Sequence, residues 1–131
     1  MTGIVCMQIA DMARGEKNSV DIDWGENTPG QETGILKAGD TVTSCTVSVA
    51  TDASGNALKP SGAADPTFSG VVPNSQPIVV LGRTCSAGEA TTFTITMAAN
   101  QTAGQYIMKV VASTANGFIL PRNVRVNVVV L

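Results

Sequence analysis

The strongest pattern in the sequence is a period-two alternation of apolar and polar residues toward its carboxyl end. One predicted strand carries Val124, Val126, Val128 and Val130 on a single face. The stretch 105–113 repeats the pattern with Tyr106, Met108, Val110 and Ala112. Because successive side chains of a strand point to opposite sides, this alternation predicts β-strands with one buried face. The dipeptide Asn116-Gly117 lies between them and predicts an antiparallel hairpin, since both residues tolerate positive φ.

The same alternation predicts strands further upstream. Phe93, Ile95 and Met97 face inward in the stretch 91–98, and a short turn-like connection over 100–104 leads to the strand of Tyr106. We therefore predict three consecutive antiparallel strands in this part of the chain. Near the amino end, a first strand is predicted from residues that share one face, namely Val20, Ile22 and Trp24.

The middle of the chain is less regular. A strand is predicted over 40–50, but Val42 is out of phase with the later apolar positions, which indicates a bulge near Thr43 and Ser44. The stretch 51–66 has the composition of a loop. Short strands are predicted over 67–72 and 78–82, and the neighbouring prolines Pro73 and Pro77 favour edge positions for them.

These elements predict an all-β fold, specifically an immunoglobulin-like antiparallel β-sandwich of about seven strands with an N-terminal arm. The sandwich is assigned to residues 18–131 and the arm to residues 1–17. Tyr106 follows the turn at Gly104 and resembles the tyrosine near the start of strand F in many sandwich domains. A core aromatic with its hydroxyl at the rim is an equally compatible interpretation of Tyr106.

Residues 1–17 are too apolar for a free tail. Either they form an extra edge strand of the same domain, or they form an arm that adds to the sheet of a neighbouring subunit. We predict that this segment contributes to assembly through its apolar side chains, Ile4, Val5, Met7, Ile9 and Met12.

The composition excludes several classes of function. The chain has 131 residues and no histidine, so neither a Ser-His-Asp nor a Cys-His catalytic unit can form. A formal net charge of -2 offers no basic face for nucleic acid, and no apolar run approaches the ~20 residues that span a bilayer. Charged residues make up 14%, where about 25% is typical. Such a surface is typical of secreted or virion proteins, or of subunits covered by their neighbours.

The cysteines give no sign of a cofactor or of a disulfide framework. They are odd in number and lack the C-x-x-C spacing of many metal sites: Cys6, Cys45 and Cys85. We predict buried free thiols, because free cysteine packs as a small hydrophobe. We expect no metal and no cofactor.

One cluster of carboxylates adjoins Trp24. Asp21 and Asp23 share a strand face with their side chains about 7 Å apart, which could frame a calcium ion or an acid/base pair. With Trp24 they would form the site of a carbohydrate- or calcium-binding module. A solvated strand face is the simpler interpretation.

No motif for a nucleophile or a phosphate-binding loop is present in the sequence. An enzyme would have to use carboxylates together with lysines that lack the usual spacing, namely Lys17, Lys37, Lys59 or Lys109. We therefore expect no catalytic residues.

Short motifs in order along the chain carry a family likeness. They are Val20-Asp21-Ile22-Asp23-Trp24, Ala38-Gly39-Asp40-Thr41-Val42, Thr102-Ala103-Gly104 before Tyr106, and Ser113-Thr114-Ala115-Asn116-Gly117. In this order they resemble small bacteriophage virion proteins of the fiber-tail adaptor type, over roughly residues 20–130. Departures from the family pattern are Cys45, where a tryptophan is frequent, and the additional stretches 1–17 and 51–66.

The resemblance implies a non-enzymatic structural protein with an immunoglobulin-like sandwich, present in many copies in a phage particle after synthesis in the host cytoplasm. The expected role is an adaptor between tail and fibers, with other virion proteins and further copies of the chain as partners. A capsid decoration, or cement, protein of the phage head is the nearest alternative. Neither nucleic acid nor membrane is expected as a partner.

Overall fold

The computed structural model describes residues 6–25 and 35–131, and within these ranges every regular element is a β-strand. The strands are β1 Cys6–Gln8, β2 Met12–Ala13, β3 Lys17–Asp23, β4 Val42–Val49, β5 Thr67–Pro73, β6 Ile78–Val80, β7 Arg83–Cys85, β8 Ala90–Thr96, β9 Gly104–Thr114 and β10 Ile119–Val129. Six of them have seven or more residues, and β1, β2, β6 and β7 have two or three. We predicted about seven strands, and these four short strands account for the larger number observed among the described residues.

Two larger sheets pack against each other. One has the order β1-β10-β9-β4, with β2 also paired to β10, and the other has the order β3-β8-β5. A separate two-stranded sheet is formed by β6 and β7. The core between the larger sheets takes side chains from both, and its largest fully buried members are Trp24, Tyr106, Phe93, Met12, Ile22 and Ile95. The prediction of an all-β sandwich is confirmed, while its immunoglobulin-like topology stays a prediction.

The predicted hairpin between β9 and β10 is confirmed. The two strands pair antiparallel from Ile119↔Ser113 to Val128↔Gly104. Gly117 adopts a φ of 86°. Asn116 does not have positive φ. The loop therefore uses a single left-handed residue before Phe118 instead of the two-residue turn that Asn-Gly favours.

The predicted pairing of three consecutive strands is wrong at β8. β8 lies between β3 and β5, whereas β9 pairs with β10 and β4 in the other sheet. The connection 97–103 thus crosses from one sheet to the other. A short connection can join paired strands or bridge two stacked sheets, so its length did not distinguish the two arrangements. The inward face of β8 is nevertheless as predicted, with Phe93 and Ile95 buried.

The middle of the chain follows the sequence pattern closely. The register between β4 and β9 shifts between Val42 and Ser44, which confirms the predicted bulge. β5 lies at the edge of its sheet and ends at Pro73, so the edge prediction is confirmed for this strand. The stretch 51–66 contains no strand, and only the bridge Thr51↔Ala57 interrupts it.

The amino-terminal segment lies along β10 of its own chain. β1 and β2 pair with it in parallel, through Met7↔Val124 and Val128↔Met12, in the position of an edge strand. Met7 and Ile9 are half-buried against the core. Met12 is fully buried between the sheets. Met12, which we predicted as part of an assembly interface, is therefore a core residue of its own chain. The assembly role of the segment stays a prediction.

The other two residues of the predicted assembly interface, Ile4 and Val5, lie outside the described residues. The two thiols whose surroundings are described, Cys45 and Cys85, are both free. Cys85 is fully buried, as predicted, whereas Cys45 is half-buried in β4.

Candidate functional site

Three connections meet at one end of the sandwich, which we call the loop end. They join β3 to β4 (24–41), β5 to β8 (74–89) and β9 to β10 (115–118). Their backbones are bonded to one another: the Trp24 N–H donates to the Glu89 carbonyl at 3.0 Å, and the Val42 N–H donates to the Gly88 carbonyl at 2.8 Å. The Ala115 N–H donates to the Thr41 carbonyl at 2.9 Å. Residues 26–34 of the first connection lie outside the described part.

The β6-β7 hairpin exposes apolar side chains at its tip. Its two-residue turn consists of Leu81 and Gly82, with φ values of 49° and 85°. Two consecutive positive φ values are typical of a type I′ turn, where asparagine or glycine is the usual first residue. A leucine in this region costs free energy. Leu81 is 84% exposed and Val79 is 65% exposed, so the protein holds a strained apolar residue in contact with solvent.

The β9-β10 hairpin adds a second apolar tip at the same end. Phe118 is 42% exposed and Ile119 is 63% exposed. The Lys37 ammonium lies 5.3 Å from the centroid of the Phe118 ring, in the geometry of a cation–π contact. This contact orients the ring without covering it. Together with the β6-β7 tip, the hairpin makes the loop end the most apolar exposed region among the described loops.

Asn74 closes the connection that carries the β6-β7 hairpin. Its side-chain amide donates to the carbonyls of Gln76, Cys85 and Ser86, at 2.9, 3.3 and 3.0 Å. Its side-chain carbonyl accepts from the N–H groups of Gly88 and Ala90, each at 3.0 Å. A single buried side chain therefore satisfies five backbone groups and fixes the base of the hairpin.

An ion-pair cluster joins the hairpin to the end of β3. Arg83 donates to the buried Asp23 carboxylate at 2.5 Å and to the Glu89 carboxylate at 3.3 Å. A side-chain carbon at Gly25 would lie 2.8 Å from the Arg83 guanidinium, so only glycine leaves room for this arrangement. The hydrogen bond from Arg83 to Asp23 is the main reason that the pKa of Arg83 is raised. The cluster anchors β7 to the sandwich.

Glu89 and Cys85 of this cluster are held in their ordinary forms at neutral pH. Hydrogen bonding from the Ser86 N–H lowers the pKa of Glu89, against an opposing effect of burial, so Glu89 is ionised. Burial, followed by the nearby Asp23 carboxylate, raises the pKa of Cys85 to about 11, so its thiol is protonated. A protonated buried thiol is a poor nucleophile. The cluster is suited to structural anchoring.

Asp40 fastens the β9-β10 tip to the first connection. Its carboxylate accepts from the N–H groups of Thr41 at 2.9 Å and Asn116 at 3.1 Å. Burial alone would raise the pKa of Asp40, but hydrogen bonds from Thr114, Thr41 and Asn116 outweigh it and the pKa is lowered. Asp40 is therefore ionised at neutral pH and holds two of the three loops together.

Trp24 and Asp23 do not form a surface site with Asp21. The Trp24 indole N–H donates to the Thr91 hydroxyl at 2.9 Å, and the Arg122 guanidinium lies 4.8 Å from the centroid of its ring. Trp24 is fully buried and Asp23 is only 3% exposed. The solvated strand face expected for the two aspartates is therefore wrong for Asp23. In the described part of the chain, no group of three or more cysteine, aspartate or glutamate side chains could hold a metal ion.

Asp21 lines a shallow depression of about 290 Å³ beside the loop end, with Thr92, Gln76 and Ile78 among its neighbours. No aromatic ring lines it, so the stacking surface expected of a carbohydrate site is not there. The lysines considered for an enzyme are dispersed. Lys59 pairs with Asp65 at 2.7 Å, and Lys37 faces Phe118.

Sequence reasoning missed the residues that define the loop end. Leu81 was assigned to a short strand because it continues the apolar run from Ile78. Its following glycine was the available signal of a turn. Phe118 was passed over because one aromatic after Asn-Gly is as compatible with a core position as with a tip. Asn74 and Arg83 had no local signal, since the partners of Asn74 lie up to 16 residues away and Asp23 lies 60 residues from Arg83.

No family model matches the chain, and no curated protein matches it. None of the described residues forms a helix long and apolar enough to cross a membrane.

Proposed function

We propose that the chain is a non-enzymatic bacteriophage virion protein, an adaptor between tail and fibers, and that the loop end is one of its docking surfaces. The proposal rests on an exposed apolar surface whose loops are held in place by hydrogen bonds and ion pairs. Leu81, Val79, Phe118 and Ile119 are exposed, while Asn74 and the Arg83 ion pairs hold the loops beneath them. A preformed surface binds at a lower entropic cost than a flexible one, which favours a role in protein assembly.

The strand order supports the immunoglobulin-like part of the proposal. In such sandwiches the loops cluster at the two ends and one end commonly binds partners. The strand orders β1-β10-β9-β4 and β3-β8-β5 agree with the two sheets of an immunoglobulin-like sandwich. Tyr106 agrees as well, since its hydroxyl donates to the Thr102 carbonyl at 2.6 Å, four residues upstream, in the manner of a tyrosine corner.

The side chains on the outer faces of the two sheets are of the kind expected where neighbouring subunits cover a surface. Thr92, Thr94 and Thr96 point outward from β8 and are half-buried. Ser44, Thr46 and Ser48 are exposed on β4. Neutral hydroxyl side chains of this kind can be desolvated at lower cost than charged ones. Hydroxyl side chains thus cover part of the outer face of each sheet.

A capsid decoration protein would use the same surface, so location on the particle separates the two roles. Antibody labelling of phage particles that carry the chain would test the proposal by electron microscopy. We expect label at the junction of tail and fibers. Label on the head would support the decoration role instead, and a chain that failed to copurify with particles would contradict both.

A further inference from the structure

The outer edge of β3 carries a further inference. β3 pairs with β8 on one side and is the edge strand of its sheet on the other. Backbone bonds next to each end fix which residues face β8. The Met97 N–H donates to the Glu16 carbonyl at 2.9 Å, and the Trp24 N–H donates to the Glu89 carbonyl at 3.0 Å. Because bonding alternates along an antiparallel pair, even-numbered residues of β3 bond to β8 and odd-numbered residues point their N–H and C=O groups outward.

Lys17, Ser19 and Asp21 therefore present six backbone groups to the open side. The register with β8 runs without a bulge from Lys17↔Thr96 to Asp23↔Ala90, so this alternation holds throughout β3. Among the described residues, no hydrogen bond reaches the outward groups of these three residues. The open stretch ends at Asp23, whose carbonyl accepts from Arg122 at 2.7 Å. An unpaired strand edge is a template for another strand.

The side chains of the same residues make this edge complementary to itself. They lie on the outer face, where Lys17 and Ser19 are exposed and Asp21 is half-buried. Neither Lys17 nor Asp21 takes part in an ion pair with the described residues. If two copies pair antiparallel with Ser19 opposite Ser19, each Lys17 lies opposite Asp21 of the partner subunit. Oppositely charged residues directly across an antiparallel pair stabilise it.

We propose that two copies of the chain pair through their β3 edges about a two-fold axis at Ser19, which joins the two three-stranded sheets into one continuous sheet. A shift of two residues in one direction would place Asp21 opposite Ser19 and Lys17 opposite Asp23, which is already paired with Arg83. A shift in the other direction would place Asp21 opposite Gly15 and Lys17 opposite Ser19. The charges thus select a single register. This dimer does not depend on the virion role proposed above, because it rests on the backbone and charges of β3 alone.

Sedimentation equilibrium of the full chain tests the proposal, with a dimer of twice 13.4 kDa as the expected species. Lys17→Asp and Asp21→Lys each replace two attractions by two repulsions, so each variant raises the dimer dissociation constant about tenfold or more. An equimolar mixture of the two variants regains dimer, because one strand then carries two acidic residues and the other carries two basic ones. Lys109→Asp is the matched control, since Lys109 is an exposed lysine on β9 of the other sheet, and it leaves the dimer unchanged.

Ser19→Pro gives a second line of evidence, since it removes an outward N–H that makes no bond within the chain. It weakens the dimer while near-ultraviolet circular dichroism stays native. If this variant fails to fold, the charge variants and their mixture decide the matter. A chain that stays monomeric up to about 1 mM overturns the proposal. So does a dimer that is indifferent to both charge variants, or a mixture that does not regain dimer.

Discussion

The two ends of the sandwich are closed by different chemistry. At the loop end, charged groups act beside the neutral Asn74, because Arg83 pairs with Asp23 and the Asp40 carboxylate accepts from the Asn116 N–H. At the opposite end, which we call the tyrosine end, the groups are mostly neutral. The Tyr106 hydroxyl donates to the Thr102 carbonyl, and the Gln101 amide donates to the Tyr106 hydroxyl at 3.1 Å and to the Ala64 carbonyl at 2.7 Å.

The two ends also differ in what they expose. The loops of the tyrosine end are tied inward, with Gly104 against Pro60 and the Arg14 guanidinium donating to the Gln101 carbonyl at 2.7 Å. The large apolar residues exposed there are Val130 and Leu131, which follow β10 and belong to no connection. The loop end instead presents Leu81 and Phe118 on its hairpin tips. The tyrosine end thus holds the two sheets together, while the loop end supports an exposed apolar surface.

The largest expected effect comes from the base of the β6-β7 hairpin. Asn74→Ala removes the side-chain hydrogen bonds to five backbone groups, of which the Gly88 N–H keeps its bond to the Asn74 backbone carbonyl. We therefore expect a loss of about 3 kcal/mol in the free energy of unfolding. Urea unfolding measures this loss. The matched control is Asn100→Ala at the tyrosine end, because Asn100 is exposed, and its effect stays within about 0.5 kcal/mol. Equal effects of the two substitutions would show that Asn74 stabilises the protein no more than an exposed asparagine does.

The tyrosine end gives the next largest effect. Tyr106→Phe keeps the buried ring but removes the hydroxyl that bonds Thr102 and Gln101, at a cost of about 1.5 kcal/mol. Because neither partner titrates, the loss is the same at pH 4 and at pH 8. Thermal unfolding at both pH values checks this expectation. A loss that changed strongly with pH would show that the tyrosine end depends on an ionised group.

The strained hairpin tip gives a smaller effect of opposite sign. Leu81→Asn places a residue that tolerates positive φ in the turn, so we expect the chain to gain about 0.5–1 kcal/mol in stability. The same substitution removes the most exposed apolar side chain of the loop end, so incorporation into phage particles falls. Val72→Asn, which also removes an exposed apolar residue but lies within β5, is the control for incorporation. A more stable chain that is incorporated normally would contradict docking through Leu81.

Mild acid produces the smallest effect, and it acts on the loop end. The folded-state pKa of Glu89 is lowered, so its contribution is fully present above the unfolded value of about 4.3 and is lost as pH falls through the lower folded value. Glu89 is partly exposed, so this contribution is about 0.5 kcal/mol. Glu89→Gln removes it at pH 7, and the wild-type and variant stabilities then converge toward pH 3. A difference that persisted at low pH would assign the effect to packing instead.

Much of the fold could be predicted from local sequence. The alternation in β3, β8, β9 and β10 assigned their inward faces correctly except at Val130, which follows β10 and is exposed. The phase change at Val42 located the bulge of β4. These features depend on neighbouring residues of one strand, where side-chain direction has a period of two. The partner of β8 was not predictable in this way, because a connection of a few residues serves both a hairpin and a crossing between sheets.

The candidate site was less accessible to sequence reasoning. Asp23 and Trp24 were read as possible ligand groups because they adjoin Asp21, yet Arg83 and Thr91, far away in sequence, take them into the interior. Met12 was read as an interaction residue because its segment is apolar, yet pairing with β10 places it in the core. In each case a partner remote in sequence decided between burial and exposure.

The sequence by itself determined the all-β class, the inward faces of the main strands, the absence of histidine chemistry and the low charge of the surface, because each is a property of composition or of adjacent residues. The tertiary structure alone decided which strands share a sheet, which apolar residues remain exposed at the loop end and which edge of β3 has no partner strand among the described residues. Those properties arise from contacts between distant parts of the chain, and no local pattern in the sequence encodes them.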